Sequence, residues 1–271
     1  MHEPNKIKQL GQYPTPLWAA EALVERYFPK LSNRDVVVEP SCGPGAFLAA
    51  IPPEITAIGV EIDPDFARAA EINTGRQIIL GDFQTVELGV EPTLVVGNPP
   101  FNLSVIDGFL RRADKILPME GQAAFILPAY AFQTAARVEA YAKTWSLRQE
   151  LIPRNIFPGL SLPLLFAIFS KSRNRTLVGF ALYGETTAVQ SLAKDYRRIL
   201  GETTGAIWKT VVEQALNNLG GEANVSEIYS EVGGRRPTEN RFWQPKVRQT
   251  LRRYKNSFEP TERGRYRLVS N

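Results

Sequence analysis

The sequence predicts an α/β protein: a doubly wound, mostly parallel sheet with helices on both faces, followed by a smaller domain of three helices and a β-hairpin. Three observations carry this. From about residue 17 to residue 170, short apolar runs rich in β-branched residues alternate with amphipathic helical stretches, the pattern of repeated βαβ units. Each run stops abruptly at glycine, proline or an acidic residue, so the strand ends are sharply set. Beyond about residue 205 the alternation gives way to consecutive helices and a basic hairpin.

Composition narrows the class. The 271 residues are 44% hydrophobic and 22% charged, an ordinary globular balance with room for a sizeable core. The apolar run Leu162 to Phe169 is too short for a bilayer and contains Pro163, so no membrane partner is expected. Met1-His2-Glu3-Pro4-Asn5-Lys6 lacks the apolar core of a signal peptide. One cysteine excludes an intrachain disulfide, and with one histidine it leaves no zinc cluster, so no metal is expected either. A reducing, cytoplasmic location follows. Net charge is +4, but unevenly placed: residues 1–205 carry 20 Lys+Arg against 21 Asp+Glu, and residues 206–271 carry 12 against 7. A basic terminal segment of this kind suits a polyanion.

Taken in order, Gly11-Gln12-Tyr13-Pro14-Thr15-Pro16 is a stiff, aromatic-bearing segment ahead of a helix from Leu17 to Phe28. Thr15 is the expected N-cap, with Pro16 at the first helical position. Val36-Val37-Val38 then leads through Glu39-Pro40-Ser41-Cys42-Gly43-Pro44-Gly45 into a helix beginning Ala46-Phe47-Leu48. Gly43 and Gly45 let the backbone come close to a ligand, and the helix start presents unbonded N–H groups. The spacing is neither the dinucleotide GxGxxG nor a P-loop, and the turn alone is equally plain strand–helix punctuation. The next strand, Thr56 to Val60, ends in Glu61-Ile62-Asp63-Pro64, and Glu61 stands 18 residues after Gly43. That is near where a nucleotide-binding βαβ unit keeps its ribose carboxylate, while Asp63 caps the helix that follows. Strand Gln77 to Leu80 ends in Gly81-Asp82-Phe83. An acid beside an aromatic at a strand end suits an adenine ring, and equally a turn.

Leu94-Val95-Val96-Gly97-Asn98-Pro99-Pro100-Phe101 is a strand that runs without warning into two prolines. Pro99 cannot donate to a sheet ladder and holds Asn98 extended, so the strand stops with Asn98 at its carboxyl end. Ligands sit at such ends in open α/β sheets. A helix from Leu103 to Leu117, strand Ala123 to Leu127, helix Phe132 to Thr144 and outer strand Leu147 to Ile152 follow. Ile156-Phe157-Pro158-Gly159 is a loop with an exposed aromatic, and Leu164 to Ser170 hairpins back as a final strand. Leu177 to Tyr183 is a further strand of no assignable place. The α/β domain is expected over residues 1–185, a connecting helix and linker over 186–205, and the basic domain over 206–271. Within the last, helices 206–219, 225–231 and 242–254 and a hairpin over 257–268 form a winged-helix pattern, whose last helix reads a major groove. Arg235 to Arg267 holds 11 Lys+Arg against 3 Glu, so Arg235, Arg236, Arg241, Lys246, Arg248, Arg252, Arg253, Lys255, Arg263 and Arg265 are the expected DNA contacts. Readers of this type commonly pair, so a homodimer on a palindromic site is a further expectation.

Together the motifs resemble the S-adenosylmethionine-dependent DNA adenine-N6 methyltransferases. Glu39-Pro40-Ser41-Cys42-Gly43-Pro44-Gly45-Ala46-Phe47 is similar to that family's cofactor loop, and Asn98-Pro99-Pro100-Phe101 to its catalytic motif. Gln12 to Pro16 resembles the segment against the methionine end of the cofactor. Ile156-Phe157-Pro158 resembles the late motif whose aromatic helps to clamp the target base. The motif order looks like the gamma arrangement, over about residues 11 to 171. The resemblance implies a Rossmann-like sheet of the class I methyltransferase type and S-adenosyl-L-methionine as cofactor. It implies that the cofactor is held by Tyr13, Thr15, Pro16, Glu39, Pro40, Ser41, Cys42, Gly43, Gly45 and Phe47, together with Ile62, Asp63, Phe83 and Asn98. Glu61 would take the ribose hydroxyls and Asp82 the adenine amine. Asn98 and Pro99 would accept the two N–H bonds of the target amine, with Pro100 shaping the turn. Phe101 and Phe157 would stack a base flipped from double-stranded DNA. No endonuclease motif accompanies these, which suits a stand-alone modification enzyme of a bacterial or phage-infected cell.

Other readings separate on single features. Cytosine-C5 methylation needs a cysteine nucleophile, and Cys42 sits in the cofactor loop. Cytosine-N4 enzymes usually show Ser in place of Asn98. Protein glutamine-N5 methyltransferases share the Asn-Pro-Pro-aromatic chemistry but resemble a helical N-terminal domain ahead of the catalytic one. An RNA adenine target fits the catalytic motif, but side chains cannot enter the deep major groove of RNA. A non-catalytic winged-helix regulator would have no use for an intact Asn98-Pro99-Pro100-Phe101.

Overall fold

Runs of β-branched and aliphatic residues become strands whose burial follows their place in one eight-stranded sheet. The computed structural model describes residues 13–190, 197, 207–237 and 241–269. Gln12 and most of the expected connector over 186–205 lie outside the described residues. By internal contacts there are two compact units, one within residues 1–180 and one within 181–271.

In the first unit α1 (Leu17–Tyr27) precedes β1 (Val36–Pro40), α2 (Ala46–Ala50), β2 (Thr56–Glu61), α3 (Pro64–Thr74) and β3 (Gln77–Leu80). Then come β4 (Leu94–Gly97), α4 (Leu103–Ile116), β5 (Gln122–Pro128), α5 (Ala135–Ala142), β6 (Ser146–Ile152), β7 (Leu164–Ser170) and β8 (Leu177–Val178). The strand order is β3-β2-β1-β4-β5-β7-β6-β8. Every neighbouring pair is parallel except those made by β7, which runs antiparallel to both β5 and β6. Central strands β1, β4 and β5 are buried on both faces, as a parallel sheet clad in helices requires, whereas β3 at one edge is half exposed. The chain winds from β1 outward to β3, then returns to β4 on the other side of β1. The carboxyl ends of β1 and β4 therefore flank the topological switch point, where such sheets hold ligands.

Three sequence expectations change here. β7 is not a final strand: it hairpins with β6 but inserts between β5 and β6. Its run Leu164 to Phe169 is buried throughout and needs cover on both faces, while β6 carries Arg148, Gln149 and Glu150 and tolerates the outer place. The strand expected over Leu177 to Tyr183 shrinks to β8, because Gly179 turns at φ 86 and a helix starts at Tyr183. The helix expected over Phe132 to Thr144 is split: a single 3-10 turn covers Ala129–Phe132, and Thr134 is extended ahead of α5.

The second unit contains α6 (Tyr183–Gln190), α7 (Ile207–Asn218), β9 (Glu222–Asn224), α8 (Val225–Gly233), α9 (Gln244–Arg253), β10 (Phe258–Glu262) and β11 (Arg265–Leu268). Val211, Leu216, Ile228, Val232, Trp243, Val247, Leu251 and Phe258 form its core. Asn224 and Glu227 close a reciprocal capping box at the start of α8. The strands pair antiparallel in the order β10-β11-β9. β9 is invisible in the sequence, since Glu-Ala-Asn has no strand propensity and is extended only by pairing with β11. Among the described residues no helix is long and apolar enough to cross a membrane, and no cluster of His, Cys, Asp and Glu could hold a metal ion.

One polar clamp keeps the turn after α2 in shape. Arg76 donates to the Ile55 carbonyl at 2.6 Å and to the Ile51 and Pro52 carbonyls at 2.8 and 2.9 Å. Arg76→Ala removes the guanidinium from the Ile51 and Ile55 carbonyls, while Pro52 keeps the Ile55 amide, and is expected to cost about 1.5–3 kcal/mol in urea unfolding. Arg76→Lys should recover only part of it, because one ammonium cannot reproduce the planar fork. Full recovery by lysine would show that charge alone matters there.

Candidate active site

Glu39, Glu61, Asp82 and Asn98 stand at or just beyond the carboxyl ends of β1, β2, β3 and β4. They line two adjoining clefts. Tyr13, Thr15, Glu39, Ser41, Cys42, Gly43, Glu61, Asn98 and Pro100 line the first. Ile62, Asp63, Asp82, Phe83, Asn102 and Phe109 line the second, and Ser41 and Pro100 belong to both.

The loop between β1 and α2 turns through three left-handed residues: Ser41 at φ 50, Gly43 at φ 53 and Gly45 at φ 91. The two glycines serve different ends. A Cβ on Gly43 would meet nothing within 4 Å and would project into open space, whereas one on Gly45 would lie 2.7 Å from Thr74 Cγ2. Gly43 thus keeps the cleft open. Gly45 lets α2 pack against α3 and does not line the cleft, which corrects the ligand role expected of it. Phe47 is corrected likewise: it is fully buried on the core side of α2.

The two buried carboxylates are used differently. Glu61 is 2% exposed; one oxygen accepts from the Gly43 amide at 2.7 Å, the other from the Ile62 and Asp63 amides at 2.9 and 3.0 Å. Three N–H groups hold it at the cleft wall and leave one acceptor site, on Oε2. Glu39 accepts from the Leu48 amide at 2.9 Å, so a strand-end acid caps α2 from outside the helix. Burial pushes the Glu39 carboxyl well above the usual carboxylate range; the Leu48 and Phe47 amides oppose this, and Glu61 adds to it. Burial likewise pushes the Cys42 thiol up, with Glu39 and Glu61 acting in the same direction, which disfavours the thiolate that a nucleophile needs. Asp63 caps α3 as expected, accepting from the Asp65 and Phe66 amides. Asp82 accepts from the Gln84 amide at 2.9 Å beside buried Phe83, whose ring meets Phe109 edge-on. Ile62 is 64% exposed at the mouth of this second cleft.

The Asn98 carboxamide is held through its nitrogen. Its Nδ2 donates to the Tyr13 carbonyl at 2.8 Å and to Thr15 Oγ1 at 3.2 Å. A carbonyl only accepts, so the amide nitrogen must face Tyr13, and the orientation of the carboxamide is set. Oδ1 is left buried without a hydrogen-bond partner. Thr15 is therefore not the helix cap; Pro16 is, without side-chain help, and its carbonyl accepts from Ala19 and Ala20. Buried Pro99 follows Asn98, and the Tyr130 hydroxyl donates to the Phe101 carbonyl. Pro40 is likewise buried, its carbonyl accepting from Ser41 Oγ at 2.6 Å. Tyr130 escaped the sequence reading because nothing local ties it to a motif 29 residues earlier.

Phe157 is not an exposed aromatic. It is 2% exposed, because the turn through Arg154–Ile156 and Gly159 at φ 78 folds its ring into the core. In the second unit, Val247, Thr250 and Leu251 turn α9 inward, leaving Lys246, Arg248, Arg252, Arg253 and Lys255 exposed. Arg241 and the hairpin-tip Arg263 are exposed too. Not every expected contact is uncommitted: Arg235 pairs with Glu231, Arg265 with Glu222 at 2.7 Å, and Arg236 lies over the Trp243 ring.

No family model matches the chain. A stretch of 68 residues is 37% identical to the Type II methyltransferase M.CvrRI of Paramecium bursaria Chlorella virus XZ-6E, covering 24% of this chain and 18% of the viral protein. Among solved structures, an assigned class I S-adenosylmethionine-dependent methyltransferase from Listeria monocytogenes superimposes with a TM-score of 0.52. The two are 14% identical over 67% of this chain and 66% of that one. The fold of the first unit is that of the class I methyltransferases.

The raised Glu39 carboxyl sets a pH signature. The unfolded chain ionises this group first, so the native state loses stability as pH rises from the ordinary carboxylate range through the folded value. Glu39→Gln keeps an acceptor for Leu48 and cannot ionise. Urea midpoints of the two proteins should converge at the acid end and separate as pH rises, with the glutamine protein the more stable. A constant difference across pH would refute the assignment.

Proposed function

We propose that the chain transfers a methyl group from S-adenosylmethionine to the N6 amine of adenine in double-stranded DNA. The observation that carries this reading is the orphaned acceptor: Asn98 Oδ1, buried and unpartnered at the end of β4, with its amide orientation locked by Tyr13 and Thr15. A buried acceptor without a donor is costly, and an exocyclic amine supplies the missing donor. The fold and the partial match to a viral Type II methyltransferase agree with it.

The cleft residues fit the cofactor. Glu61 Oε2 keeps an acceptor site for a ribose hydroxyl, Asp82 offers an acceptor for an adenine amine, exposed Ile62 apolar surface for the ring, and Gly43 an open wall. When bound there, S-adenosylmethionine supplies an electrophilic methyl on a sulfonium. Asn98 Oδ1 and the Pro99 carbonyl together accept both N–H bonds of the target amine. Its nitrogen, otherwise conjugated with the ring, is thereby turned toward a tetrahedral shape with a usable lone pair. Neither acceptor can take a proton at neutral pH, so the surplus proton leaves with water after transfer. Positioning and electrostatics carry the acceleration.

In this reading the second unit is a winged helix that delivers the duplex. Its helix order, its hairpin and the outward cations of α9 support it. Arg248 and Arg252 lie with Pro245 and Gln249 along one open face of α9, and neither has an ion-pair partner among the described residues.

Asn98→Ala is expected to lower methyl transfer to DNA by about 10²–10³-fold, as loss of one preorganised polar contact does, with cofactor affinity by calorimetry within a few-fold of wild type. Equal losses in both would make the residue structural. Arg252→Ala should weaken binding to all duplexes alike and reduce the slope of log affinity against log salt by about one. Relaxed preference at a single base position would instead make Arg252 a base reader.

A further inference from the structure

We infer that Tyr13, and not Phe157, supplies the second face of the target-base clamp, an inference that rests on the base-flipping reading above. Phe157 is buried in the core and meets the Tyr13 ring edge-on, with centroids 6.4 Å apart at 74°. It has no open face for a base. Tyr13 lies nearly parallel to Phe101, with centroids 5.9 Å apart at 23°.

Near-parallel faces are what a clamp needs. A planar base between two rings makes two successive contacts of about 3.5 Å, roughly 7 Å in all, so the Tyr13 ring must swing away from Phe101 to admit one. Both rings hang from held backbones. The Phe101 backbone is held by the Tyr130 hydroxyl. The Tyr13 backbone is held by Asn98, while its side chain keeps its own rotations. The residue whose carbonyl orients the Asn98 amide thus also sets a ring over the aromatic at the far end of the same motif. A base entering between the rings meets Asn98 Oδ1 with its amine edge and two aromatic faces with its plane. Phe157 backs the Tyr13 ring from the core.

The test begins by mapping the adenine that the wild-type protein methylates. A duplex with 2-aminopurine at that position then reports flipping, because its emission rises on leaving the helix and falls on stacking against an aromatic ring. At saturating S-adenosylmethionine, Tyr13→Leu is expected to raise the emission of the bound duplex several-fold above wild type. It should also weaken DNA binding by about tenfold, the scale of one lost base–aromatic stack. Tyr13→Phe should match wild type in both, and Phe157→Leu should leave the emission at the wild-type level. Unmoved emission in Tyr13→Leu, or a rise in Phe157→Leu, overturns the assignment of the clamp alone. Absence of any methylated adenine with wild-type protein overturns the underlying reading and the clamp with it.

Discussion

The hydrogen bond from Asn98 Nδ2 to the Tyr13 carbonyl is the constraint from which the candidate site follows. It joins the end of β4 to the segment ahead of α1, 85 residues apart in the chain. It decides which end of the carboxamide faces the cleft, and it places the Tyr13 ring on Phe101. Without it nothing in the site would fix which end of the carboxamide faces the cleft. With it, an acceptor is held buried and unpaired, at a cost of about 1–3 kcal/mol that the rest of the sheet must offset. Preorganisation of this kind is what a site for a weakly nucleophilic amine requires.

The cofactor side follows a related logic. Two acids end adjacent parallel strands, and each is drawn onto backbone N–H groups. Glu61 gathers three amides at the cleft wall and stays available there; Glu39 is spent on the start of α2. The left-handed turn at Ser41, Gly43 and Gly45 brings the Gly43 amide to Glu61 and the start of α2 to Glu39. Gly43 and Gly45 look equivalent in sequence, but one leaves a ligand wall open and the other lets two helices touch. Only the spatial neighbour, Thr74, separates them.

What was legible in the sequence was what is local. Val36 to Val38, Leu94 to Val96 and the proline pair after Asn98 announce strands and their ends, because β-branching and the missing proline N–H act within a few residues. The cleft acids Glu61 and Asp82 were legible for the same reason, standing at strand ends beside turns. What was illegible depends on long-range pairing. Thr15 has the composition of a helix cap but is bound to Asn98, 83 residues away. Phe157 has a loop-like context, and only the core beneath it makes it buried. β7 reads as a last strand, yet its uninterrupted apolarity sends it inside β6. β9 has no strand propensity of its own.

The central claim is that Asn98 Oδ1 awaits an N–H of an adenine N6 amine. The most direct measurement is mass spectrometry of the products after purified protein is incubated with methyl-labelled S-adenosylmethionine and a mixture of duplex DNA, RNA and protein. The label is expected in N6-methyl-2′-deoxyadenosine. Label in methylglutamine, in N4-methylcytosine or in RNA, or in no product at all, would contradict it.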